Sequence, residues 1–251
     1  MLVILVVVGI VRWYFFRPKI KVMGGVVPHH EVATKMVDNF FALAQRIKPK
    51  RIIVLAPNHF KMDAPHIISS RRDWKSKETI IKAESSLVQK WRDEKLVVED
   101  DEVAEREHAV GNMVPYIAKH FAKSKLIPLI IHPQAGREEL DRLAEAVYKD
   151  LDESTLIVAS VDFSHYLTSE EADRKDEKTL SAIRNRDWNV LLEMGSDNLD
   201  CSACIYVIDK IMRDNGKNEF RIMEHTNSEK ILGWKSPQGV TSYFLFVYDE
   251  E

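Results

Sequence analysis

The sequence predicts an α/β fold, a single three-layer domain in which helices flank a mostly parallel central sheet. From residue 20 onward, short runs rich in valine and isoleucine alternate with segments of helical period. The runs are apolar on both faces, which is typical of parallel strands covered by helices on both sides. No linker rich in proline, glycine or serine and no repeat divides the chain, so we expect one domain over residues 17–251.

Each element follows from its local pattern. Strands are predicted where apolar residues run without a break, at residues 22–27, 51–56, 66–69, 126–131, 155–161 and 240–248. Helices are predicted where apolar residues recur three and four positions apart, at residues 31–47, 84–93, 110–121, 137–151, 169–185, 188–194 and 201–214. In this architecture ligands bind beyond the carboxyl ends of the strands, where loops lead into the helices.

The charge balance and the cysteines exclude some functions. The chain has 36 basic and 39 acidic residues and a pI of about 6.3, without a basic stripe interleaved with aromatic residues, so we expect no nucleic-acid partner. Cys201 and Cys204 are too close in sequence to hold distant segments together as a disulfide framework. We therefore expect a reducing, cytoplasmic location for the domain. Nothing in the sequence indicates the oligomeric state.

Residues 1–16 form an apolar N-terminal segment that stands apart from the predicted domain. The run from residue 2 to residue 16 is apolar except for Arg12, and a basic flank follows it. It is shorter than the roughly 20 residues of a full membrane span, and it lacks the basic start and the small-residue cleavage site of a signal peptide. We weigh a membrane tether, with the domain on the cytoplasmic side, against an extra edge strand or a packed terminal helix.

Histidines follow four of the predicted strands, at His29, His59, His132 and His165. The carboxyl ends of parallel strands meet at one edge of a sheet, so we expect imidazoles in these positions to converge there. A single histidine at a strand end is usually an ordinary loop residue, and only the repetition favours a shared site. Neutral imidazoles with a carboxylate or a thiolate suit Fe, Cu or Zn rather than Mg or Ca. The sequence therefore predicts a transition-metal site.

Other candidate residues lie near the same predicted edge. In "SVDFSHY", Asp162 is expected to orient His165 by a hydrogen bond, and His165 is expected to act as a general acid or base. His108, directly after Glu107, is expected to complete the pocket wall and to take part in catalysis. Cys201 begins a predicted helix, where the helix dipole favours a thiolate, so it is a candidate metal ligand, whereas the neighbouring cysteine faces the core.

The motifs "VVPHH", "LAPNHF", "EHAVGNMVPYI" and "SVDFSHY", the helix that begins at Cys201, and "HTNS" followed by "GVTSYFLF" occur in this order. The chain thereby resembles the Memo family, protein B of the AmmeMemoRadiSam grouping, over roughly residues 20–248. The resemblance implies a fold like the catalytic subunit of class III extradiol dioxygenases. It also implies one iron or copper ion held by His29, His59 and Cys201, with Asp162 and His165 lining the same pocket. The segment 30–32 departs from the pattern of many relatives, which leaves the substrate open.

These observations lead to one main hypothesis and two alternatives. The main hypothesis is a redox or dioxygenase-like enzyme with one Fe(II) or Cu(I) ion, or else Zn(II), that acts on an unidentified small-molecule or peptide ligand. The first alternative is a metal-assisted hydrolase in which Ser164 or a zinc-bound water is the nucleophile. The second is a module that binds a peptide or a small molecule without catalysis.

Overall fold

A computed structural model describes residues 23–60, 63, 66–151 and 155–248. Its strands are β1 (Met23–Val27), β2 (Arg51–Pro57), β3 (Ile67–Ser69), β4 (Trp74–Ser76), β5 (Thr79–Ile81), β6 (Val98–Glu99), β7 (Lys125–Ile131), β8 (Thr155–Ser160), β9 (His165–Leu167), β10 (Arg221–Asn227) and β11 (Val240–Tyr248). Its α-helices are α1 (Thr34–Ala44), α2 (Ser85–Asp93), α3 (Asp101–Arg106), α4 (His108–Gly111), α5 (Val114–Phe121), α6 (Arg137–Lys149), α7 (Ser169–Asn185), α8 (Trp188–Leu192), α9 (Ser202–Asp214) and α10 (Ser228–Leu232). Short 3-10 helices at Glu31–Ala33 and Gln45–Ile47 flank α1.

The central sheet has the strand order β10-β11-β1-β8-β2-β7-β3-β6, and β9 pairs with β11 beside this path. The four strands β1, β8, β2 and β7 run parallel to one another, whereas β11 and β3 join their two sides as antiparallel strands. The predicted α/β class with helices around a central sheet is confirmed. The parallel strands occupy the middle of the sheet, and the antiparallel strands lie towards its edges.

Two apolar cores cover the two faces of this sheet. Neighbouring residues of a strand point to opposite faces, so Val26 and Ile53 enter the core under α6 and α9, whereas Val27 and Ile52 enter the core under α1 and α5. All residues of β1 and β8 are buried. Burial on both faces explains why these strands are uninterrupted apolar runs in the sequence.

Gly25 allows α1 to lie directly on β1. A Cβ atom at this position would overlap the ring of Phe40 on α1 and would come within 2.8 Å of the carbonyl oxygen of Phe246 on β11. A side chain at residue 25 would therefore push the helix or the neighbouring strand away. This close approach fixes the end of β1, from which the chain continues to His29.

Some elements differ from the sequence prediction. The helix predicted at 110–121 is two helices, α4 and α5, because Pro115 lies in the first turn of α5, the part of a helix in which proline is tolerated. Strand β10 was not predicted, since its burial alternates and its sequence is largely polar. Within the described residues, no helix is long and apolar enough to cross a membrane. The predicted tether at residues 1–16 lies outside these residues.

Candidate metal centre

The ends of three neighbouring strands bring the predicted site residues together. Strand β8 lies between β1 and β2, so the loops that follow these strands are adjacent. His29 comes two residues after β1, His59 two after β2 and Asp162 two after β8. All three side chains line a cavity of about 640 Å³, which we call the histidine pocket. His165 lines the same cavity, so three of the four histidines that follow predicted strands converge at this edge of the sheet. His132 does not line the cavity, and its ring stacks on that of His66.

His29 presents a lone pair to the histidine pocket. The hydroxyl of Ser160 donates its only proton to the carbonyl oxygen of Ala109 at 2.7 Å, so it accepts a hydrogen bond from Nδ1 of His29 at 3.3 Å. The proton of His29 is thus on Nδ1, and Nε2 is free to bind a ligand. Burial, with a further contribution from the neighbouring His59, holds the pKa of His29 well below its usual value. The ring is therefore neutral at neutral pH, which is the form that binds metals.

His59 presents Nε2 in the same way. Its backbone N–H donates to Oε2 of Glu107 at 2.9 Å, and its Nδ1 donates to Oε1 at 2.8 Å. Burial opposes the ionisation of Glu107, but the hydrogen bonds from His59 outweigh it and keep the pKa of Glu107 below its usual value. A charged carboxylate only accepts hydrogen bonds, so the proton of His59 is on Nδ1. Glu107 itself is held by Ala109, whose N–H donates to its carboxylate.

Two buried carboxylates face these imidazoles. Asp162 accepts the backbone N–H of His29 at Oδ1 (3.0 Å), and its Oδ2 is 3.6 Å from Nε2 of the same residue. Asp200 was not predicted as a site residue. Its Oδ2 lies 3.3 Å from Nε2 of His29 and 3.9 Å from Nε2 of His59. The pocket thus has two acidic side chains where the sequence prediction placed one.

A contact between two distant loops brings Asp200 to the pocket. Phe163 forms an isolated bridge with Leu199, and the N–H of Asp200 donates to the carbonyl oxygen of Asp162 at 3.1 Å. Burial raises the pKa of both carboxyls. The pKa of Asp200 lies well above its usual value, chiefly because of burial and in addition because Asp162 repels a second negative charge. A cation between these groups would remove that penalty.

His108 lies against both histidines. Its ring stacks on that of His59 with centroids 4.4 Å apart, and it meets the edge of the His29 ring at 5.2 Å. One nitrogen from each of the three rings lies within 4.8 Å of the others. Burial and the neighbouring His59 lower the pKa of His108. The structure therefore brings His108 to the pocket, where the sequence analysis placed it.

His165 also lines the histidine pocket, but Asp162 does not orient it. Nδ1 of His165 donates to the carbonyl oxygen of Ser196 at 3.0 Å, whereas the carboxylate of Asp162 binds the loop that carries His29. Burial lowers the pKa of His165, and the negative charge of Asp162 only partly offsets this effect. In place of the expected bond to Asp162, the ring of His165 thus donates a hydrogen bond to the backbone of a loop that precedes α9.

Cys201 does not offer a thiolate to the pocket. It forms a disulfide bond with Cys204, and its sulfur accepts the backbone N–H of that residue as the N-cap of α9. A sulfur atom in a disulfide has no negative charge to give to a metal. The sequence analysis predicted a thiolate ligand at Cys201, but in the disulfide-bonded protein the sulfur of Cys201 caps a helix instead. Asp200 occupies the adjacent position in the sequence.

Ser164 is remote from the imidazoles of the pocket. It is fully buried, and its hydroxyl donates to Asp176 at 2.7 Å. Asp176 also accepts from Ser242 at 2.8 Å and contacts Nε2 of His225 at 2.7 Å. These bonds connect α7 to the residue before β9, to β10 and to β11. Because the hydroxyl is fully buried and does not line the histidine pocket, the geometry argues against Ser164 as a nucleophile.

The fold and the site define a class: a three-layer α/β protein with a candidate His/Asp metal site at the carboxyl edge of its central parallel strands. A family model described as Memo-like protein matches residues 10–243. The chain belongs to the Memo family, as the sequence motifs predicted. The match begins within the apolar N-terminal segment, so the boundary expected at residues 16 and 17 stays a prediction.

Similar proteins support this assignment. The chain is 29% identical over 226 residues to the MEMO1 family protein PAE0818 of Pyrobaculum aerophilum, a match that covers 85% of this chain and 79% of the relative. It is 27% identical over 212 residues to a MEMO1 family protein of Thermotoga petrophila, covering 82% and 76% of the two chains. The crystal structure of the uncharacterized protein JW3007 from Escherichia coli K12 is similar with a TM-score of 0.57 and 12% identity, covering 90% of this chain and 98% of that one. At this identity the likeness shows the fold alone.

Proposed function

We propose that the histidine pocket holds one transition metal ion and that the protein is a redox enzyme, of dioxygenase-like type, that acts on a small molecule. One observation carries this proposal: His29 and His59 both have their proton on Nδ1, because Ser160 and Glu107 engage that atom. Both rings therefore offer an Nε2 lone pair to the histidine pocket, which both residues line. Metal-binding histidines typically have such a hydrogen bond on the second ring nitrogen.

The donor set favours iron over copper. Cu(I) prefers thiolate ligands, and the disulfide of Cys201 removes the thiolate from this pocket. Imidazole with carboxylate oxygen suits Fe(II), with Zn(II) as the next choice. When bound, such an ion supplies Lewis acidity and, for iron, one-electron redox chemistry to a substrate.

The chain itself supplies a proton acceptor and a substrate surface. His165 is neutral near neutral pH and borders the cavity, so it accepts or returns a proton as general base or acid. The rim of the cavity is apolar and exposed at Tyr166, Leu232 and Trp234. A substrate with a polar end and an apolar body would place the polar end on the floor of the pocket and the body against this rim.

Metal analysis tests the proposal. The protein, purified without an affinity tag or a chelator and under exclusion of oxygen, is expected to contain close to one iron per chain by mass spectrometry. His29→Ala and His59→Ala are expected to lose the metal, whereas His66→Ala is a matched control, because His66 is an exposed histidine paired with Glu139. A wild-type protein that contains no metal and takes up neither Fe(II), Cu(I) nor Zn(II) would disprove it.

Oxygen consumption tests the redox step separately. The iron-loaded protein is expected to consume oxygen in the presence of at least one compound from a panel of aromatic and thiol substrates. Stoichiometric metal without oxygen consumption across the panel would instead support a binding module without catalysis.

A further inference from the structure

We infer that Asp200 supplies the third protein ligand of the metal, so that His29, His59 and Asp200 form a set of two histidines and one carboxylate. This inference rests on the proposed metal site. Oδ2 of Asp200 lies 3.3 Å from Nε2 of His29 and 3.9 Å from Nε2 of His59. Ligand atoms at about 2.0–2.2 Å from one ion are about 3.0–3.5 Å apart, so the distance from Asp200 to His29 lies within this range and the distance to His59 is slightly above it.

Hydrogen bonding alone does not satisfy these atoms. Both imidazoles have their proton on Nδ1, so their Nε2 atoms are acceptors, and a carboxylate oxygen is an acceptor as well. Three acceptor atoms therefore lie near one another in the histidine pocket, and the N–H of Asp162 is the one donor that approaches Oδ2 of Asp200, at 3.3 Å. A single proton on Asp200 could bridge it to one of the two rings only. A metal ion satisfies all three atoms at once.

The other oxygen of Asp200 is an independent indication. Among the described residues, Oδ1 of Asp200 is buried and has no hydrogen-bond partner, and the side chain is only 7% exposed. A buried carboxylate oxygen without a partner costs free energy of folding, because it has lost its hydrogen bonds to water and gained none in the protein. A second bond from the carboxylate to the metal would remove this cost.

The other candidates for third ligand are less suitable. Oδ1 of Asp162 already accepts the backbone N–H of His29, and its Oδ2 is 3.6 Å from Nε2 of that residue. His108 also brings one nitrogen within 4.8 Å of nitrogens of His29 and His59, but its side chain is 46% exposed and its ring stacks on that of His59 at an angle of 28°, which is a poor arrangement for two ligands of one ion. Asp200 alone among these side chains approaches both Nε2 atoms through one oxygen.

Hydrogen bonds to the loop after β8 hold Asp200 in this position. Its N–H donates to the carbonyl oxygen of Asp162 at 3.1 Å, a bond that does not involve the disulfide between Cys201 and Cys204. The N–H of Asp162 donates to Oδ2 of Asp200 at 3.3 Å, which fixes the carboxylate as well. A set of two histidines and one carboxylate leaves coordination positions open on Fe(II), which is the arrangement of many non-haem iron oxygenases.

Cobalt substitution distinguishes a ligand set with Asp200 from a ligand set with the thiolate of Cys201. Co(II) bound to a thiolate has an intense near-ultraviolet charge-transfer band, which Co(II) bound to imidazole and carboxylate lacks. The wild-type protein loaded with Co(II) is expected to show no such band, both as purified and after reduction by dithiothreitol. Appearance of the band in either state would overturn the inference in favour of Cys201.

Substitutions at adjacent positions provide the second measurement. Asp200→Asn and Asp200→Ala are expected to weaken Co(II) and Fe(II) binding by at least the roughly 10–100-fold loss that an outer-shell partner causes. The matched control is the double variant Cys201→Ser, Cys204→Ser, which is expected to bind within about threefold of wild type. Circular dichroism and thermal unfolding show whether each variant is folded.

The outcomes separate the two proposals. A wild-type protein that binds no metal contradicts the proposed function. If the wild-type protein binds metal, the proposed metal site is supported. The role of Asp200 alone is then overturned if the Asp200 variants keep the wild-type affinity, or if the double cysteine variant loses metal binding.

Discussion

The hydroxyl of Ser160 and the imidazole of His29 form a hydrogen bond whose direction is set by a third group. Because Ser160 gives its proton to the carbonyl oxygen of Ala109, it accepts from Nδ1 of His29 at 3.3 Å. The two residues are 131 positions apart in the sequence, and both are buried. This bond determines which nitrogen of His29 faces the histidine pocket.

Ser160→Ala is expected to weaken metal binding by about 10-fold or more, because Nδ1 of His29 loses its acceptor and the ring can change its tautomer. Competition with a chromophoric chelator measures the affinity. Ser164→Ala is the control, since that hydroxyl is equally buried but bonds to Asp176 outside the pocket. Equal effects of the two substitutions on metal affinity would contradict the role of Ser160.

Glu107→Gln is expected to weaken metal binding by about 10–100-fold. The amide has one acceptor oxygen, whereas the carboxylate accepts at both oxygens from the backbone and the ring of His59. One donor of His59 would therefore face an NH₂ group. Calorimetric titration with Zn(II) measures the loss. Glu105→Gln, a surface carboxylate nearby in the sequence, serves as the control, and an affinity of the Glu107 variant equal to that control would refute the prediction.

Asp200→Asn is expected to stabilise the metal-free protein at pH 7 by about 1–2 kcal/mol while it weakens metal binding. The folded-state pKa of Asp200 is raised, chiefly by burial, so its ionisation opposes folding above the ordinary aspartate pKa of about 3.9. The gain in stability of the variant over the wild type is therefore present at neutral pH. It disappears as the pH falls below about 3.9, where the carboxyl of the wild type is protonated in both the folded and the unfolded state. Urea unfolding of chelator-treated protein at pH 7 and at about pH 3.5 measures it. A variant less stable than wild type at pH 7 would speak against a destabilising charge at this position.

Gly25→Ala is expected to lower the free energy of unfolding by about 1–3 kcal/mol, because the added Cβ overlaps Phe40 and the backbone of β11. Gly111→Ala is the matched control, since no atom lies within 4 Å of a Cβ at that position. Chemical unfolding of both variants measures the difference. Equal stability of the two variants would show that α1 does not depend on this close contact.

The sequence predicts the central strands and two of the site histidines well, because the signals are local. An uninterrupted apolar run predicts a strand buried on both faces, and the residue type at its end is read directly from the sequence. His29 and His59 are both found in this way. The largely polar strand β10 has no such signal, since its side chains alternate between partial burial and exposure.

The remaining parts of the site depend on contacts between distant segments. Asp200 enters the pocket through the bridge between Phe163 and Leu199, which no local pattern indicates. The aspartate directly before Cys201 is visible in the sequence, but the sequence pattern favours the neighbouring thiol as the metal ligand. Whether that thiol is free or bonded to Cys204 depends on the geometry at the start of α9, and sequence spacing alone does not decide it.

The position of β8 between β1 and β2 would determine when the chain acquires the proposed metal ion. The three loops that meet at the pocket come from segments that are neighbours only in the finished sheet, so the proposed ligands come together only there. Loading would follow the assembly of the sheet centre, and the ion would then stabilise the native state. Metal uptake during refolding would therefore report the closure of the three parallel strands, a late step for pairings of such high contact order.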